Sequence, residues 1–278
     1  MKRDLRGGRV AAFFDLDGTL IGGPSLERRF VGELRYRRAI PLRNYFLWLA
    51  RTALLAPRGM QMMRHANKMY LRGVHAGGEG SGCDRGQPAR PDPGQARMGV
   101  PRFFRDAVEW TAWHAEQGHA IVLVSGTLAP LAQGMALALV VRLAVRGIAA
   151  SVAVCATRLE QNEGRWTGRI LGDAMFGEAK ARAVVQLARC EGFDLAKCYA
   201  YGDSWSDRWM LEAVGHAAAV NPSWRMERLA RRRGWSVLNW REERRLNTEV
   251  PGESTERPEK AMRHSWDRGK WDEPHAWD

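Results

Sequence analysis

The chain has 278 residues, of which 45% are hydrophobic and 27% charged, and its formal net charge is +12. This length and apolar content exclude a wholly disordered protein and fit either one large domain or a core with an inserted module. The four cysteines form no Cys-x-x-Cys pair, which indicates neither a zinc site nor a disulfide framework and favours a reducing, cytoplasmic setting. Two apolar runs, 45–56 and 128–145, each contain an arginine and fall short of the ~20 uninterrupted apolar residues that a membrane-spanning helix needs.

Strand-like apolar runs alternate with helix-like patterns along most of the chain. The runs occupy residues 10–14, 120–124, 151–154, 198–201 and 217–220, and the helical patterns include 101–117 and 178–189. This alternation predicts an α/β fold, a Rossmann-like three-layer structure with a parallel sheet between helices. Such sheets bind their ligands at the carboxyl ends of the strands. Within 157–170, the Asn-Glu-Gly sequence at 162–164 predicts a β-hairpin.

The stretch 24–98 interrupts this alternation. It begins with helical patterns and ends in a segment, 77–99, that has many loop-forming and almost no apolar residues. We therefore predict a core of residues 1–23 and 99–241, a helical cap of residues 24–76 inserted after the first strand, and a flexible linker at 77–98. Residues 242–278 hold seven Lys/Arg and ten Asp/Glu, which predicts a largely disordered tail.

Asp15-Leu16-Asp17-Gly18-Thr19 directly follows the first apolar run. Two carboxylates, two residues apart at the end of a buried strand, offer one group to attack phosphorus and one to transfer protons. The pattern therefore indicates a phosphoryl-transfer site. Taken alone, an Asp-x-Asp pair is more typical of an Asx-rich turn that closes a strand.

Three further segments have the residue types that such a site needs. Ser125, followed by Gly126, offers a hydroxyl and backbone N–H groups to an anion at a strand end. Lys180 offers a positive charge, and Asp203 and Asp207 offer hard oxygen ligands for Mg²⁺. The alternatives are an ordinary strand-to-helix turn for Ser125, a solvated surface group for Lys180 and a capped helix start for the two acids.

In this order, the four segments resemble the haloacid dehalogenase superfamily of phosphatases. Three downstream sequences are similar to its phosphoserine-phosphatase-like branch, subfamily IB: Gly202-Asp203-Ser204-x-x-Asp207-x-x-Met210-Leu211, Ala219-Val220-Asn221-Pro222 and Ala230-x-x-x-Gly234-Trp235-x-Val237-Leu238. The resemblance covers about residues 9–23 and 100–240. In that branch a helical cap follows the first motif, in agreement with the predicted insertion.

The resemblance implies a role for each of these residues. Asp15 would attack phosphorus and form an aspartyl-phosphate, and Asp17 would act as general acid and base. Mg²⁺ and the phosphoryl group would be held by the remaining site residues. The implied metal ligands are Asp15, the Asp17 backbone carbonyl and Asp203, with Asp207 in support, and the implied phosphate-binding residues are Ser125, Gly126 and Lys180.

The cap departs from the serine-specific members of the family. Those members have a carboxylate a few residues past the first motif that binds the substrate amine, whereas this chain has no acid there until Glu27, which argues against phosphoserine as the substrate. Residues 27–72 contain eleven Lys/Arg and two Glu, interleaved with Tyr36, Tyr45, Phe46 and Trp48. Such a basic, aromatic surface fits peripheral contact with an anionic membrane, a polyanionic substrate or, less well, nucleic acid. The alternative is a solvated arginine-rich helix face.

The function predicted from these observations is a Mg²⁺-dependent phosphomonoester hydrolase that acts on a small phosphorylated substrate. One alternative is a non-catalytic protein that uses the same fold to present its basic cap to anionic lipid or nucleic acid. Another is a phosphotransferase, which would use the same residues with an acceptor other than water. The intact set of acids and lysine favours an enzyme, because a scaffold has no physical need for it.

Overall fold

The computed structural model describes residues 8–55, 67–76 and 102–241. The strands are β1 (Ala11–Phe14), β2 (Ala120–Leu128), β3 (Val152–Asn162), β4 (Arg165–Leu171), β5 (Tyr199–Gly202), β6 (His216–Val220) and β7 (Ser236–Leu238). The helices are α1 (Leu26–Tyr36), α2 (Leu42–Leu55), α3 (Arg105–Glu116), α4 (Ala129–Val145), α5 (Glu178–Glu191), α6 (Arg208–Glu212) and α7 (Trp224–Arg233). Short 3₁₀ turns lie at Met69–Leu71, Leu195–Lys197 and Trp205–Asp207.

The strands form one seven-stranded sheet in the order β4-β3-β2-β1-β5-β6-β7, and every pair is parallel except β3 with β4. Because neighbouring side chains of a strand point to opposite faces, Phe13 and Phe14 of β1 enter two different apolar clusters. The cluster around Phe14 includes residues of α1, α3 and α4, and the cluster around Phe13 includes residues of α5, α6 and α7. The predicted three-layer α/β fold is confirmed.

Several elements differ in extent from the predictions. The predicted strand at 151–154 and the first half of the hairpin are one continuous strand, β3, and the hairpin closes at 163–164 with β4 as the edge of the sheet. The apolar run 128–145 is largely helix α4, which packs on β2 and β3. The short edge strand β7 is an addition to the predicted strands.

No helix within the described ranges is long and apolar enough to cross a membrane.

The described part of the cap packs on the core through α1 and through the segment that follows Lys68. Leu26, Phe30 and Leu34 of α1 are buried in the same cluster as the sheet, and the Phe30 ring meets the Trp166 ring edge to face, with 5.9 Å between centroids. The backbone N–H of Gly73 donates to the Trp166 carbonyl at 2.7 Å. The division into core and cap stays a prediction, and the predicted linker at 77–98 and tail at 242–278 lie outside the described residues.

Candidate active site

The site begins where the central strand β1 ends. Phe14 lies opposite Leu123 of β2 and Tyr201 of β5, and the three strands are parallel, so their carboxyl ends lie on the same side of the sheet. The Asp15 N–H donates to the Tyr201 carbonyl at 2.9 Å, which fixes the first residue beyond the strand. Gly18 has φ +90°, and a Cβ there would lie 2.3 Å from Oδ2 of Asp203. The loop therefore requires glycine to approach this carboxylate.

Lys180 links two of the predicted site acids. Its Nζ lies 2.5 Å from Oδ1 of Asp15 and 2.5 Å from Oδ1 of Asp207, and all three side chains are buried. Helix α5 starts at Glu178 and carries Lys180 in its first turn, so the helix start determines where the ammonium group lies. The alternative of a solvated surface lysine is wrong.

The loop after β5 orients Asp207. Ser204 donates to Oδ2 of Asp207 through its hydroxyl at 2.6 Å and through its backbone N–H at 3.0 Å. A Cβ on Gly202 would lie 2.5 Å from Cβ of Asp207, so glycine permits this close approach. Asp207 therefore belongs to a capped helix start, as the alternative interpretation expected, and it also binds Lys180. The capping and the ion pair use different oxygens of the same carboxylate.

Asp15, Asp203 and Asp207 form a group that fits a divalent cation. One carboxylate oxygen from each lies within 4.8 Å of the other two. Three hard oxygen donors at this separation suit Mg²⁺, which prefers carboxylates and water as ligands. The Asp17 carboxylate lies outside this group. Its Oδ1 instead accepts a hydrogen bond of 2.8 Å from the Leu26 N–H at the start of α1. A metal role for Asp17 therefore rests on its backbone carbonyl alone, as predicted.

The crowding of these acids changes their proton affinities. Burial, together with the negative charges of Asp15 and Asp207, raises the pKa of Asp203 to about 9. Burial also raises the pKa of Asp15 to about 7, although the Lys180 charge opposes this shift. For Asp207, the charge and hydrogen bond of Lys180 outweigh burial and lower the pKa. For Lys180, the two carboxylates outweigh burial and raise the pKa.

We expect Mg²⁺ binding to weaken as the pH falls. A carboxyl group must be deprotonated to bind a metal, and Asp203 holds a proton below about pH 9 in the metal-free site. Each proton that must leave lowers the apparent affinity by about tenfold per pH unit below the pKa of its group. Titration of Mg²⁺ by calorimetry at pH 6.5, 7.5 and 8.5, in buffers of different ionisation enthalpy, measures the Mg²⁺ affinity and the number of protons released on binding. An affinity that is independent of pH, with no proton release, would contradict the expectation.

The structure places Ser125 and Gly126 at the same edge of the sheet. Ser125 is buried near the end of β2, and its Oγ accepts a hydrogen bond of 3.2 Å from the Thr127 N–H. The Gly126 carbonyl accepts a hydrogen bond of 2.9 Å from Oγ1 of Thr157 on β3. The strand continues to Leu128, so α4 starts three residues later than a direct strand-to-helix turn at Ser125 would require. Phosphate binding by this pair stays a prediction.

The sequence interpretation missed a polar cluster in the cap. The Glu27 carboxylate accepts hydrogen bonds from Nζ of Lys68 and from the hydroxyl of Tyr70. Lys68 is only 2% exposed, and its partner is 41 positions away in the chain. Glu27 follows Leu26, the residue that binds Asp17, so the cluster lies close to the predicted general acid. The basic composition of the cap concealed this lysine among many surface arginines.

A cavity of about 550 Å³ lies between the cap and the core. Arg51 and Met69 line it from the predicted cap, and the lining residues of the predicted core are 168–170, 172–174, 176–179, Arg182 and Trp209. Asp15 does not line this cavity, although Ala179, which does, directly precedes Lys180. The cavity therefore lies beside the carboxylate site and is not the site itself.

A carboxylate follows the central parallel strand, a buried lysine is bound to it, and three acids are close enough to share a cation. These are the components of a phosphoryl-transfer site. The family model described as haloacid dehalogenase-like hydrolase matches residues 12–212. The chain belongs to this family.

Two curated relatives from Mycobacterium tuberculosis carry phosphatase names. The chain is 32% identical over 253 residues to a probable phosphatase, a match that covers 88% of this chain and 80% of that protein. It is 30% identical over 241 residues to a phosphoserine phosphatase, a match that covers 84% of this chain and 71% of that protein. These matches confirm the predicted phosphatase class and the resemblance to the phosphoserine-phosphatase-like branch.

Solved structures show the same fold. A Bordetella pertussis protein of unknown function has a TM-score of 0.60 at 27% identity, over 83% of this chain and 98% of that one. A phospho-aspartyl intermediate analogue of phosphoserine phosphatase has a TM-score of 0.51 at 14% identity, over 85% and 95% of the two chains. At that identity the second likeness concerns the fold alone.

Proposed function

We propose that this protein is a Mg²⁺-dependent phosphomonoester hydrolase that works through an aspartyl-phosphate on Asp15. The observation that carries the proposal is the buried contact of Lys180 with both Asp15 and Asp207, beside a third acid, Asp203. Burying several charges has a large desolvation cost that ion pairing only partly offsets. A site that binds a metal and a phosphate accounts for this arrangement, whereas a structural scaffold does not.

In the first half of the reaction, a carboxylate oxygen of Asp15 attacks phosphorus. The bond from phosphorus to the ester oxygen breaks, an acyl phosphate forms on Asp15, and the leaving oxygen takes a proton from Asp17. In the second half, Asp17 takes a proton from water as this water attacks phosphorus. The bond to Asp15 then breaks and inorganic phosphate leaves, which restores both carboxyl groups to their starting states.

Charge neutralisation makes this attack possible. A carboxylate is a weak nucleophile, and a phosphate dianion is repelled by a group of three acids. Asp15, Asp203 and Asp207 would hold Mg²⁺, which supplies positive charge to the phosphoryl oxygens and orients the substrate. Lys180 adds a second positive charge. We assign Lys180, the Ser125 hydroxyl and the Gly126 N–H to binding the oxygens of the transferring phosphoryl group.

Asp17 has an environment that suits a general acid. Burial is the main cause that raises its pKa above the usual value, although the hydrogen bond from Leu26 opposes the shift. A raised pKa keeps a larger share of the carboxyl protonated near neutral pH, as proton donation to a leaving group requires. The bond to Leu26 also connects this group to the first residue of the cap helix.

We expect the purified protein to hydrolyse p-nitrophenyl phosphate and other phosphomonoesters only when Mg²⁺ is present. We also expect phosphoserine to be no better a substrate than matched esters without an amine, since Lys68 and Tyr70 already occupy the Glu27 carboxylate. A panel of phosphomonoesters assayed with Mg²⁺ and with a chelator tests both statements. Phosphoserine at the top of the panel would reject the second, and chelator-resistant turnover would reject the first.

The phosphotransferase alternative shares every step up to the aspartyl-phosphate. It differs only in the acceptor, so added alcohols should divert phosphate from water if it is correct. The non-catalytic alternative predicts no turnover with any ester in the panel. The buried carboxylate and lysine group favours the hydrolase over this last alternative.

We place the protein in a reducing, cytoplasmic setting with a small phosphorylated substrate as its partner. The free thiols of Cys155, Cys190 and Cys198 support this placement. Peripheral contact of the basic cap with an anionic membrane stays a prediction, and it depends on the surface of α2.

A further inference from the structure

Helix α2 exposes its apolar side to solvent. Leu42 is 79% exposed and Phe46 is 73% exposed. The exposed apolar residues recur at the spacing of one helix face, which we call the α2 outer face: Leu42, Phe46, Leu49, Ala50, Ala53 and Leu54. A surface helix normally turns such a face toward the protein core. In α2, Tyr45 packs against the core, but Leu42, Phe46 and Leu49 face solvent.

Polar contacts on the inner side hold α2 in this orientation. Asn44 is buried, and its Nδ2 donates to the carbonyls of Tyr70 at 3.1 Å and Arg72 at 2.7 Å. Asn67 is also buried, and its Nδ2 donates to the Trp48 carbonyl at 2.8 Å and to Oγ1 of Thr52 at 2.9 Å. Rotating the helix to bury its apolar face would break these hydrogen bonds and leave the amides unpaired. The orientation of α2 that leaves the α2 outer face exposed is therefore the stable one.

The surroundings of the α2 outer face are basic. The sequence of α2 contains no acidic residue, and Arg43, beside Leu42, is exposed. The end of α1 and the turn that follows it add the exposed side chains of Arg35, Tyr36 and Arg38. A second copy of the chain on this face would bring these like charges together. Nucleic acid would satisfy the arginines and leave the apolar side chains in water.

We propose that the α2 outer face docks on the interfacial region of an anionic membrane. Leu42, Phe46 and Leu49 would enter the boundary between headgroups and acyl chains, and Arg43, beside Leu42, would lie at the lipid phosphates. The proposal goes beyond the phosphatase assignment and does not depend on it.

Helix α4 provides a matched control surface. Leu137 and Val141 are about half exposed, at 51% and 54%, so they also form an apolar patch on a helix. The two arginines near this patch already contact other residues of the protein: Arg142 lies over the Phe103 ring, and Arg146 pairs with Glu109. Substitution there removes a similar apolar area without the basic surroundings. The two helices therefore separate membrane docking from a general loss of surface hydrophobicity.

The test is co-sedimentation of the full chain with vesicles of phosphatidylcholine alone or mixed with phosphatidylglycerol, at about 0.1 M salt, where charges are screened over about 10 Å. We expect binding to the mixed vesicles that is much weaker on neutral vesicles and in about 1 M salt. The double variant F46S/L49S should bind at least about tenfold more weakly, whereas L137S/V141S should bind as the unmodified protein does. Thermal unfolding and p-nitrophenyl phosphate turnover check that both variants are folded.

Three results would overturn the proposal. The first is an unmodified protein that stays in the supernatant with mixed vesicles, and the second is equal binding by the two double variants. The third is a dimer, measured by sedimentation equilibrium, that F46S/L49S converts to a monomer, since a second copy would then cover the face. If the protein does not bind vesicles but binds an oligonucleotide tightly, the basic residues around the α2 outer face would be a nucleic-acid site instead.

Discussion

Replacing Asp15 by asparagine should abolish turnover while leaving the protein folded. An amide cannot form the acyl phosphate, so we expect turnover to fall by at least about 10³-fold. The fold should tolerate the change, because Lys180 keeps its pairing with Asp207 at 2.5 Å and the amide has nearly the same shape as the carboxylate. Mg²⁺-dependent hydrolysis of p-nitrophenyl phosphate measures the loss, and thermal unfolding measures the folding.

Asp173→Asn is the matched control for this substitution. Asp173 is an exposed carboxylate paired with Arg182 at 2.7 Å, outside the acidic group, so its amide should keep full turnover. Acid-quenched reactions with a radiolabelled ester add a direct readout. The unmodified protein should retain alkali-labile label, and Asp15→Asn should retain none. Full turnover by Asp15→Asn, in a preparation free of other phosphatases, would remove Asp15 as the nucleophile.

The central strand and the group of acids could be predicted from sequence because each depends on residues that are close together in the chain. Phe13 and Phe14 are fully buried, as the apolar run before Asp15 indicated. The glycines of this site also have a physical explanation. A side chain at position 18 would collide with Asp203, and one at position 202 would collide with Asp207. Parallel order then brings distant segments to one edge of the sheet.

Helix α4 was harder to interpret because its apolar residues extend around much of its circumference. The run 128–145 has no polar side that would reveal a helical period, so its sequence raised only the question of a membrane span. In the structure, Leu139 and Leu143 are buried in the cluster with β2 and β3, whereas Val145 is exposed. Packing against the sheet determines which side of α4 is buried, and the sequence pattern of α4 alone does not show it.

Contacts between distant segments could not be predicted from a single sequence. Lys68 and Glu27 are 41 positions apart. His114 and Tyr201 are 87 positions apart, and Nε2 of His114 lies 2.8 Å from the Tyr201 hydroxyl oxygen. Burial holds the pKa of His114 well below its usual value. No local spacing marks such pairs, because packing of the layers creates them.

Replacing Lys180 by methionine should both destabilise the protein and remove its activity. The substitution keeps most of the length of the side chain and removes the only charge that lies 2.5 Å from both Asp15 and Asp207 among the described residues. Removing one partner of a buried ion pair costs about 3–5 kcal/mol, since the remaining charges are uncompensated. Arg182→Met, two residues further along α5, removes an exposed ion-pairing group and should cost less than about 1 kcal/mol.

Mg²⁺ and beryllofluoride distinguish the structural effect of Lys180 from its role at the phosphate. Mg²⁺ should restore part of the lost stability of Lys180→Met, because a cation among Asp15, Asp203 and Asp207 replaces the missing charge. Beryllofluoride with Mg²⁺ mimics the aspartyl-phosphate, so it should inhibit the unmodified protein and Arg182→Met. For Lys180→Met, whose turnover is too low for an inhibition assay, binding is measured by the shift of thermal unfolding, which should be smaller. An equal shift in all three proteins would place Lys180 outside the phosphate site and leave it only the role of a buried counter-charge.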